Sequence, residues 1–261
     1  MMTKTVAILY ATKGGMGDVG KFAMTLSKIE PSLSCNVLPI ALSIESSSEG
    51  ADKGLEVDVE DLELKKTTEE LLGSDFESSI LKIDVSKDSA EQEIADAIEG
   101  ADAVVSCLGN RQPGMERWCS MGTQKVISAM KAKKIERLVS LSSFGIGDDF
   151  LKTSPISVLW RGMLRTVLRS CRKDLIKLEN EVCRSGLDYV LVRPVGLTPE
   201  EPPQGSCDHL LSKEDGNLYL LMSKKDAAAF VLSEALEPTI HDREVTIGYL
   251  TTRKAAEKSA S

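Results

Sequence analysis

The fold is decided by one stretch near the start of the chain, Val6-Ala7-Ile8-Leu9-Tyr10-Ala11-Thr12-Lys13-Gly14-Gly15-Met16-Gly17. An apolar strand runs into a glycine-rich turn, and the spacing of apolar residues predicts an amphipathic helix over residues 19–29. This arrangement places free backbone N–H groups and the positive end of a helix against a bound phosphate. The stretch therefore predicts a nucleotide site, with a dinucleotide as the expected ligand.

The glycine spacing fits the dinucleotide fingerprint in two frames. Ala11, Gly14 and Gly17 fit a spacing of three, whereas Ala11, Gly15 and Gly17 fit the G-x-x-x-G-x-G variant. We expect Gly17 to allow close packing of the helix on the strand, and Gly14 or Gly15 to let the backbone approach the pyrophosphate. A glycine-rich turn without a ligand is the alternative. No Gly-Lys-Ser/Thr sequence closes the turn, so it is not a Walker loop.

Composition narrows the class of protein. The net charge of -8 argues against nucleic acid as a partner, because phosphate backbones are bound through basic patches. The six cysteines include no C-x-x-C pair, which indicates a reducing compartment and predicts no metal site. Neither a signal peptide nor an apolar run long enough to span a membrane is visible. We expect a cytoplasmic protein, or an organellar one if a transit peptide has been removed.

Apolar runs alternate with helical patterns along the chain. The predicted strands cover residues 5–10, 36–42, 80–83, 103–106, 137–141, 189–192 and 244–247, and the predicted helices cover 19–29, 90–98, 117–132, 156–185 and 225–236. Strands alternating with helices predict βαβ units. The expected fold is α/β: a Rossmann-type, doubly wound parallel sheet in a three-layer αβα arrangement. A single domain over residues 1–252, with an acidic insertion at 43–79 and a flexible tail at 253–261, completes the prediction.

Six segments, in order along the chain, resemble motifs of one known family. Residues 11–17 look like G-A-T-G-x-T-G, 83–85 like G-D-V, 100–109 like G-A-D-A-V-V-S-x-L-G, 137–145 like a fifth strand with its serine pair, 185–194 like S-G-L-D-x-x-x-V-R-P, and 223–228 like S-R-x-D-V-A. Together they resemble the atypical short-chain dehydrogenases with an NAD(P)-binding, NmrA-like fold. That family includes flavin/biliverdin-IXβ reductases and chloroplast Tic62-like proteins.

The resemblance implies a set of cofactor-binding residues. These are Ala11, Thr12, Lys13, Gly14, Gly15, Met16, Gly17, Asp84, Val85, Leu108, Gly109, Ser142, Arg193, Pro194 and Val195. The last three follow the sixth predicted strand, where the backbone of the family approaches the nicotinamide.

The second strand bears on the choice between NADP(H) and NAD(H). The family usually ends this strand in Leu-Val-Arg, and the arginine holds the 2′-phosphate of NADP. Here the strand ends in Leu42-Ser43, with neither that arginine nor an acidic residue for the ribose of NAD. Lys13, just before Gly14, can meet a 2′-phosphate as a compact positive charge. We therefore expect NADP(H) in preference to NAD(H), with a solvated turn lysine as the alternative for Lys13.

The catalytic residues of ordinary members of the superfamily are missing. No tyrosine is followed four residues later by lysine, so the usual Tyr-x-x-x-Lys proton donor is absent. Hydride transfer to a flat conjugated acceptor, such as a flavin, quinone or tetrapyrrole, needs little acid–base help. Ser142 and Ser143, which could orient a carbonyl or the nicotinamide amide, are the catalytic candidates, together with Glu179. A charged helix face shared with Lys173 and Lys177 is the alternative interpretation of Glu179.

Three functions are compatible with these observations. The first is an NADP(H)-dependent reductase acting on a small molecule. The second is a non-catalytic NADP(H)-binding sensor or scaffold of the NmrA/Tic62-like type, and an epimerase or lyase is a weaker third. We expect no metal, no nucleic acid and no membrane span, and either a homodimer or a protein partner is possible.

Overall fold

The structure is a computed structural model of the 261-residue chain. It describes residues 3–11, 15–43, 79–109, 117–146, 169–198, 210–211 and 221–249. The strands are β1 Thr5–Ala11, β2 Asn36–Ser43, β3 Leu81–Asp84, β4 Ala103–Cys107, β5 Arg137–Leu141, β6 Asp188–Pro194, β7 Gly196–Thr198, β8 Leu210–Leu211, β9 Leu221–Ser223 and β10 Arg243–Ile247. The helices are α1 Gly15–Ile29, α2 Ala90–Ala97, α3 Trp118–Lys133, α4 Arg169–Cys183 and α5 Lys224–Leu236, and a short 3-10 helix covers Pro31–Leu33.

The main sheet has the order expected for a dinucleotide-binding fold. Among the described residues, eight strands pair in the order β3-β2-β1-β4-β5-β6-β10-β8. The first seven strands in this order pair in parallel with their neighbours. The last strand, β8, runs antiparallel to β10. Strand order reverses between β1 and β4, and ligands of such sheets bind at this point, outside the carboxyl ends of the strands.

Helices cover both faces of the sheet because the central strands are apolar on both sides. Along β1, Val6 and Ile8 belong to the core beneath α1 and α5, whereas Ala7 and Leu9 belong to the core beneath α2, α3 and α4. This alternation is the period of two that a strand imposes on its side chains. The predicted Rossmann-type, three-layer, single-domain fold is therefore confirmed.

Most boundaries of the predicted elements lie within one residue of the prediction, and three elements differ by more. Helix α1 begins at Gly15, four residues before the predicted start, so that Gly15, Met16 and Gly17 form its first turn instead of a preceding loop. Strand β6 runs through Pro194, which makes Arg193 and Pro194 its last two residues; the prediction that they follow the strand was wrong, because the parallel pairing with β10 extends that far. In the predicted helix over 156–185, α4 accounts for the part from Arg169, and residues 156–168 lie outside the described ranges.

The amino end of the sheet carries a buried ionic network. Arg137, the first residue of β5, donates from Nη2 to a carboxylate oxygen of Glu234 at 2.9 Å and from Nη1 to Asp188 at 3.1 Å. It also donates to the backbone carbonyls of Glu234 and Ile240. These bonds join β5, β6 and the end of α5 at the edge of the sheet opposite to the carboxyl ends of the parallel strands. We therefore assign the network to stability, not to ligand binding.

Candidate functional site

The first turn of α1 lies against the end of β1 because Gly17 has no side chain. A Cβ atom on Gly17 would lie 2.2 Å from the carbonyl oxygen of Ala11, and real Cβ atoms do not approach a backbone atom so closely. The structure therefore confirms that Gly17 allows α1 to pack closely on β1. The first N–H groups of an α-helix have no partner within the helix, so this turn presents them at the carboxyl end of β1.

The same turn also reaches the end of β4. Gly109 follows Leu108 just beyond that strand, and a Cβ atom on Gly109 would lie 2.1 Å from the sulfur of Met16 and 2.8 Å from its Cβ. The Met16 side chain thus lies directly on the backbone of Gly109. The first turn of α1 bridges the ends of β1 and β4, where the strand order reverses. The described residues therefore fit a dinucleotide, whose diphosphate would meet backbone N–H groups at this turn.

Other predicted cofactor residues lie along the same edge of the sheet. Asp84 is the last residue of β3, and its carboxylate accepts hydrogen bonds from the backbone N–H of Ser86 at 2.9 Å and from its hydroxyl at 2.7 Å. Val85 is buried and donates to the carbonyl of Ser43 at the end of β2. Thr12, Lys13 and Gly14 fall outside the described residues, so both glycine frames stay predictions.

A second polar group is built where β5 and β6 end. Glu179 on α4 accepts a hydrogen bond from the Ser142 hydroxyl at 2.6 Å. Its two carboxylate oxygens also accept from Nε and Nη2 of Arg193, at 2.8 and 2.6 Å, in a bidentate pair. Burial opposes the charge of Arg193, but the hydrogen bond and charge of Glu179 outweigh it and raise the pKa of this guanidinium. The three side chains come from three different elements and meet on the face of the sheet that α4 covers.

These bonds decide what Ser142 can offer to a ligand. Ser142 is fully buried and gives its one hydroxyl proton to the Glu179 carboxylate, which only accepts. Ser142 is left with lone pairs only, so it has no proton to offer a carbonyl. Ser143 is only half-buried, and its hydroxyl makes a long, 3.4 Å bond to the carbonyl of Phe144. Of the predicted serine pair, Ser143 is therefore the better placed to donate.

The interpretation of Glu179 as part of a charged helix face is wrong. Lys173 and Lys177 are exposed, whereas Glu179 is buried at 8% exposure. Glu179 shares its helix face with Leu175 and Val182, which lie four residues before it and three after it and are also buried. That spacing was visible in the sequence and could have predicted a buried carboxylate.

Sequence reasoning missed a second buried carboxylate on α4. Asp174 accepts hydrogen bonds from the backbone N–H groups of Cys119 and Ser120 at 2.8 and 3.1 Å. These are N–H groups of the first turn of α3, so Asp174 caps that helix from a different element. No local motif marks a cap that comes from 55 residues away. The contact fixes the start of α3 against α4, the helix that also carries Glu179.

Backbone hydrogen bonds join the ends of β5, β6 and β10. The N–H of Phe144 donates to the carbonyl of Pro194 at 3.0 Å, and the N–H of Val195 donates to the carbonyl of Ile247 at 3.1 Å. The side chains of Pro194 and Val195 are buried, so these residues could contact a nicotinamide only through their backbone atoms. Their predicted role as cofactor-binding residues stays a prediction.

Residues 68–238 match the model of a protein family described as NAD(P)H-binding. The chain belongs to this family. The NAD(P) binding that the resemblance implied is thereby confirmed at the level of this family. No curated protein matches the chain.

Solved structures share the fold of this NAD(P)H-binding protein at low sequence identity. A short-chain dehydrogenase/reductase (wide type) of Veillonella parvula, described in complex with NADP, is 15% identical with a TM-score of 0.60, and the match covers 95% of each chain. ChuY of Escherichia coli O157:H7, described as an anaerobillin reductase, is 17% identical with a TM-score of 0.56; the match covers 94% of this chain and 96% of ChuY. A Rossmann-fold NAD(P)-binding family protein of Shigella flexneri is 19% identical, with a TM-score of 0.52 and coverage of 95% and 94%.

Within the described ranges, no group of three or more His, Cys, Asp or Glu side chains is arranged to hold a metal ion. None of the helices that the structure describes has the length and apolar character needed to cross a bilayer.

Proposed function

We propose that this chain is an NADP(H)-dependent oxidoreductase that reduces a flat conjugated acceptor of the flavin, quinone or tetrapyrrole class. One observation carries the proposal: the buried group of Ser142, Glu179 and Arg193 lies at the carboxyl edge of the sheet that also carries the glycine turn. A dinucleotide whose diphosphate meets α1 would extend along this edge toward β5 and β6. The NADP complex of the Veillonella relative and the reductase activity named for ChuY support the same assignment.

The chain's own residues would mainly orient the reactants. When bound, the nicotinamide cofactor supplies the hydride, and the protein supplies position and electrostatics. The half-buried Ser143 would be available to the carboxamide of the nicotinamide, whereas Ser142 and Glu179 are buried and would fix the end of β5 that carries it. Tyr249 is no substitute for the missing proton donor, because its hydroxyl is hydrogen-bonded to Asp226 and to the N–H of Ser223. The acceptor would therefore take its proton from solvent or a bound water.

The proposal is tested by following NADPH oxidation with a panel of flavins, quinones and linear tetrapyrroles. We expect turnover with at least one class, and a kcat about 10- to 100-fold lower in Glu179→Gln, the scale of a lost charge-assisted hydrogen bond. Glu181→Gln is the matched control, since it makes the same chemical change two residues further along α4 outside this group, and it is expected to keep wild-type turnover. Lack of turnover with every acceptor would overturn the reductase assignment.

The preference for NADP(H) rests on Lys13. We expect Lys13→Ala to weaken NADPH binding about 10- to 100-fold, because a charged hydrogen bond to the 2′-phosphate is lost. NADH has no such phosphate, and its affinity should change by less than threefold. Isothermal titration calorimetry with both nucleotides measures the difference, and an equal loss for the two would remove Lys13 from this role.

A sensor or scaffold that binds NADP(H) without turnover is the second candidate. The complete burial of Ser142 and the use of its proton by Glu179 favour it, because the serine cannot donate to a substrate carbonyl. Binding of NADPH in the micromolar range, together with no oxidation by any member of the acceptor panel, would support the sensor over the reductase.

A further inference from the structure

An acidic residue occupies the first turn of the helix that is expected to meet the diphosphate. Asp18 directly follows Gly17 and lies at the positive end of α1. A carboxylate there stabilises the helix when no ligand is bound, because it interacts favourably with the helix dipole. The same carboxylate lies within about one 5.4 Å turn of the N–H groups that a diphosphate would meet. The negative charge of Asp18 would therefore repel the diphosphate of a bound dinucleotide and compete with it for the positive end of α1.

The structure supplies a counter-charge for Asp18 from another helix. The Nζ of Lys224 lies 2.9 Å from Oδ2 of Asp18, and both side chains are largely buried. Lys21, on α1 itself, lies 3.4 Å from the other carboxylate oxygen. Lys224 is the first residue of α5, and the hydroxyl of Ser223 caps that helix by accepting from the N–H groups of Lys225 and Asp226. The start of α5 is thus fixed in a position that aims a buried ammonium group at the first turn of α1.

We propose that Lys224 is an affinity-determining residue for the dinucleotide, acting by neutralising Asp18 beside the diphosphate. This inference rests on the dinucleotide binding included in the proposed function. Lys224 acts through Asp18, so its effect falls on the diphosphate that NADPH and NADH share. It differs in this respect from Lys13, which is expected to distinguish the two nucleotides.

The test is a double-mutant cycle read by calorimetry with NADPH and with NADH, alongside the melting temperature of the nucleotide-free protein. Lys224→Met should weaken the binding of both nucleotides about tenfold, because Asp18 then lies near the diphosphate with only the more distant Lys21 as a counter-charge. Asp18→Asn should tighten both about threefold while lowering the melting temperature, because the helix loses its favourable charge. The double variant Asp18→Asn/Lys224→Met should bind within about twofold of wild type, because neither charge remains.

The controls separate this role from simple packing. Lys225→Met removes the same charge from the exposed neighbouring residue and should leave both affinities unchanged. Lys224→Arg keeps the positive charge and should retain wild-type affinity. If Lys224→Met fails to fold, Lys224→Arg and Asp18→Asn still test the role of the charge pair. The difference between Lys224→Met and wild type should persist in 0.5 M salt, because largely buried charges are screened much less than exposed ones.

The outcomes are distinct. If wild type binds nucleotide and folded Lys224→Met binds it equally well, or if Asp18→Asn weakens binding, this inference is overturned and the proposed function stands. If wild type binds neither nucleotide, the proposed function fails and the inference fails with it.

Discussion

Replacing Gly17 by alanine should separate dinucleotide binding from folding. The new Cβ would lie 2.2 Å from the carbonyl oxygen of Ala11, whereas a relaxed carbon–oxygen contact is about 3.3 Å. The first turn of α1 would therefore move by roughly 1 Å from the end of β1. Each hydrogen bond to a charged group contributes about 1.5–3 kcal/mol. Because the shift would break one or two bonds to the diphosphate, we expect NADPH affinity to fall about 100-fold.

The protein should remain folded in this variant. Alanine gains about 1 kcal/mol over glycine within a helix, and overpacking costs about 1–3 kcal/mol. The free energy of unfolding should thus fall by no more than about 2 kcal/mol. Urea denaturation measures this change, and calorimetry with NADPH measures the affinity.

Gly20→Ala is the matched control on the same helix. Its Cβ would lie 2.7 Å from the Cβ of Tyr10, so it also overpacks α1, but three residues after Gly17 and without pressing on the backbone of β1. We expect a loss of stability with NADPH affinity retained within about threefold. Wild-type affinity in Gly17→Ala, or an equal loss of affinity in both variants, would refute the reasoning.

Three predictions concern stability. Arg137→Met should lower the free energy of unfolding by about 3–5 kcal/mol in urea denaturation, because Glu234 would keep a buried charge without its partner; nucleotide affinity should not change. Asp174→Ala should cost about 1–2 kcal/mol in the same assay by uncapping α3, whereas full stability would contradict that role. Burial, opposed by the charge of Lys28, raises the pKa of Cys35 from 9.0 to about 11. The unfolded chain therefore loses this proton first, so stability should fall between pH 9 and 11, and Cys35→Ala should reduce the pH dependence.

Much of the fold could be predicted because its signals are local. The strand and helix periods identify the elements, and the glycines after β1 identify the turn at which α1 begins. Gly17 was assigned its packing role correctly because only a residue without a side chain fits so close to Ala11. The start of α1 at Gly15 could not be predicted, since glycine has low helix propensity and tertiary packing against β1 overrides it.

The polar site was only partly predictable because its partners are distant in sequence. Ser142 and Glu179 were both candidates, but nothing in the sequence predicted the hydrogen bond between them. Nor did it predict the ion pair between Arg193 and Glu179. Asp174 was missed because it caps a helix that begins more than 50 residues earlier. Such contacts depend on how α4 packs across the sheet, which the helical period of α4 alone does not determine.

Helix α4 couples two sets of contacts that lie far apart in the sequence. Asp174 and Glu179 lie on the same helix, separated by little more than one turn. Asp174 binds the first turn of α3, and Glu179 binds Ser142 and Arg193. A displacement of α4 large enough to break the hydrogen bonds of Glu179 to Ser142 and Arg193 would also break those of Asp174 to the first turn of α3. The two sets of hydrogen bonds are therefore made or lost together, and a substitution that shifts α4 should weaken both.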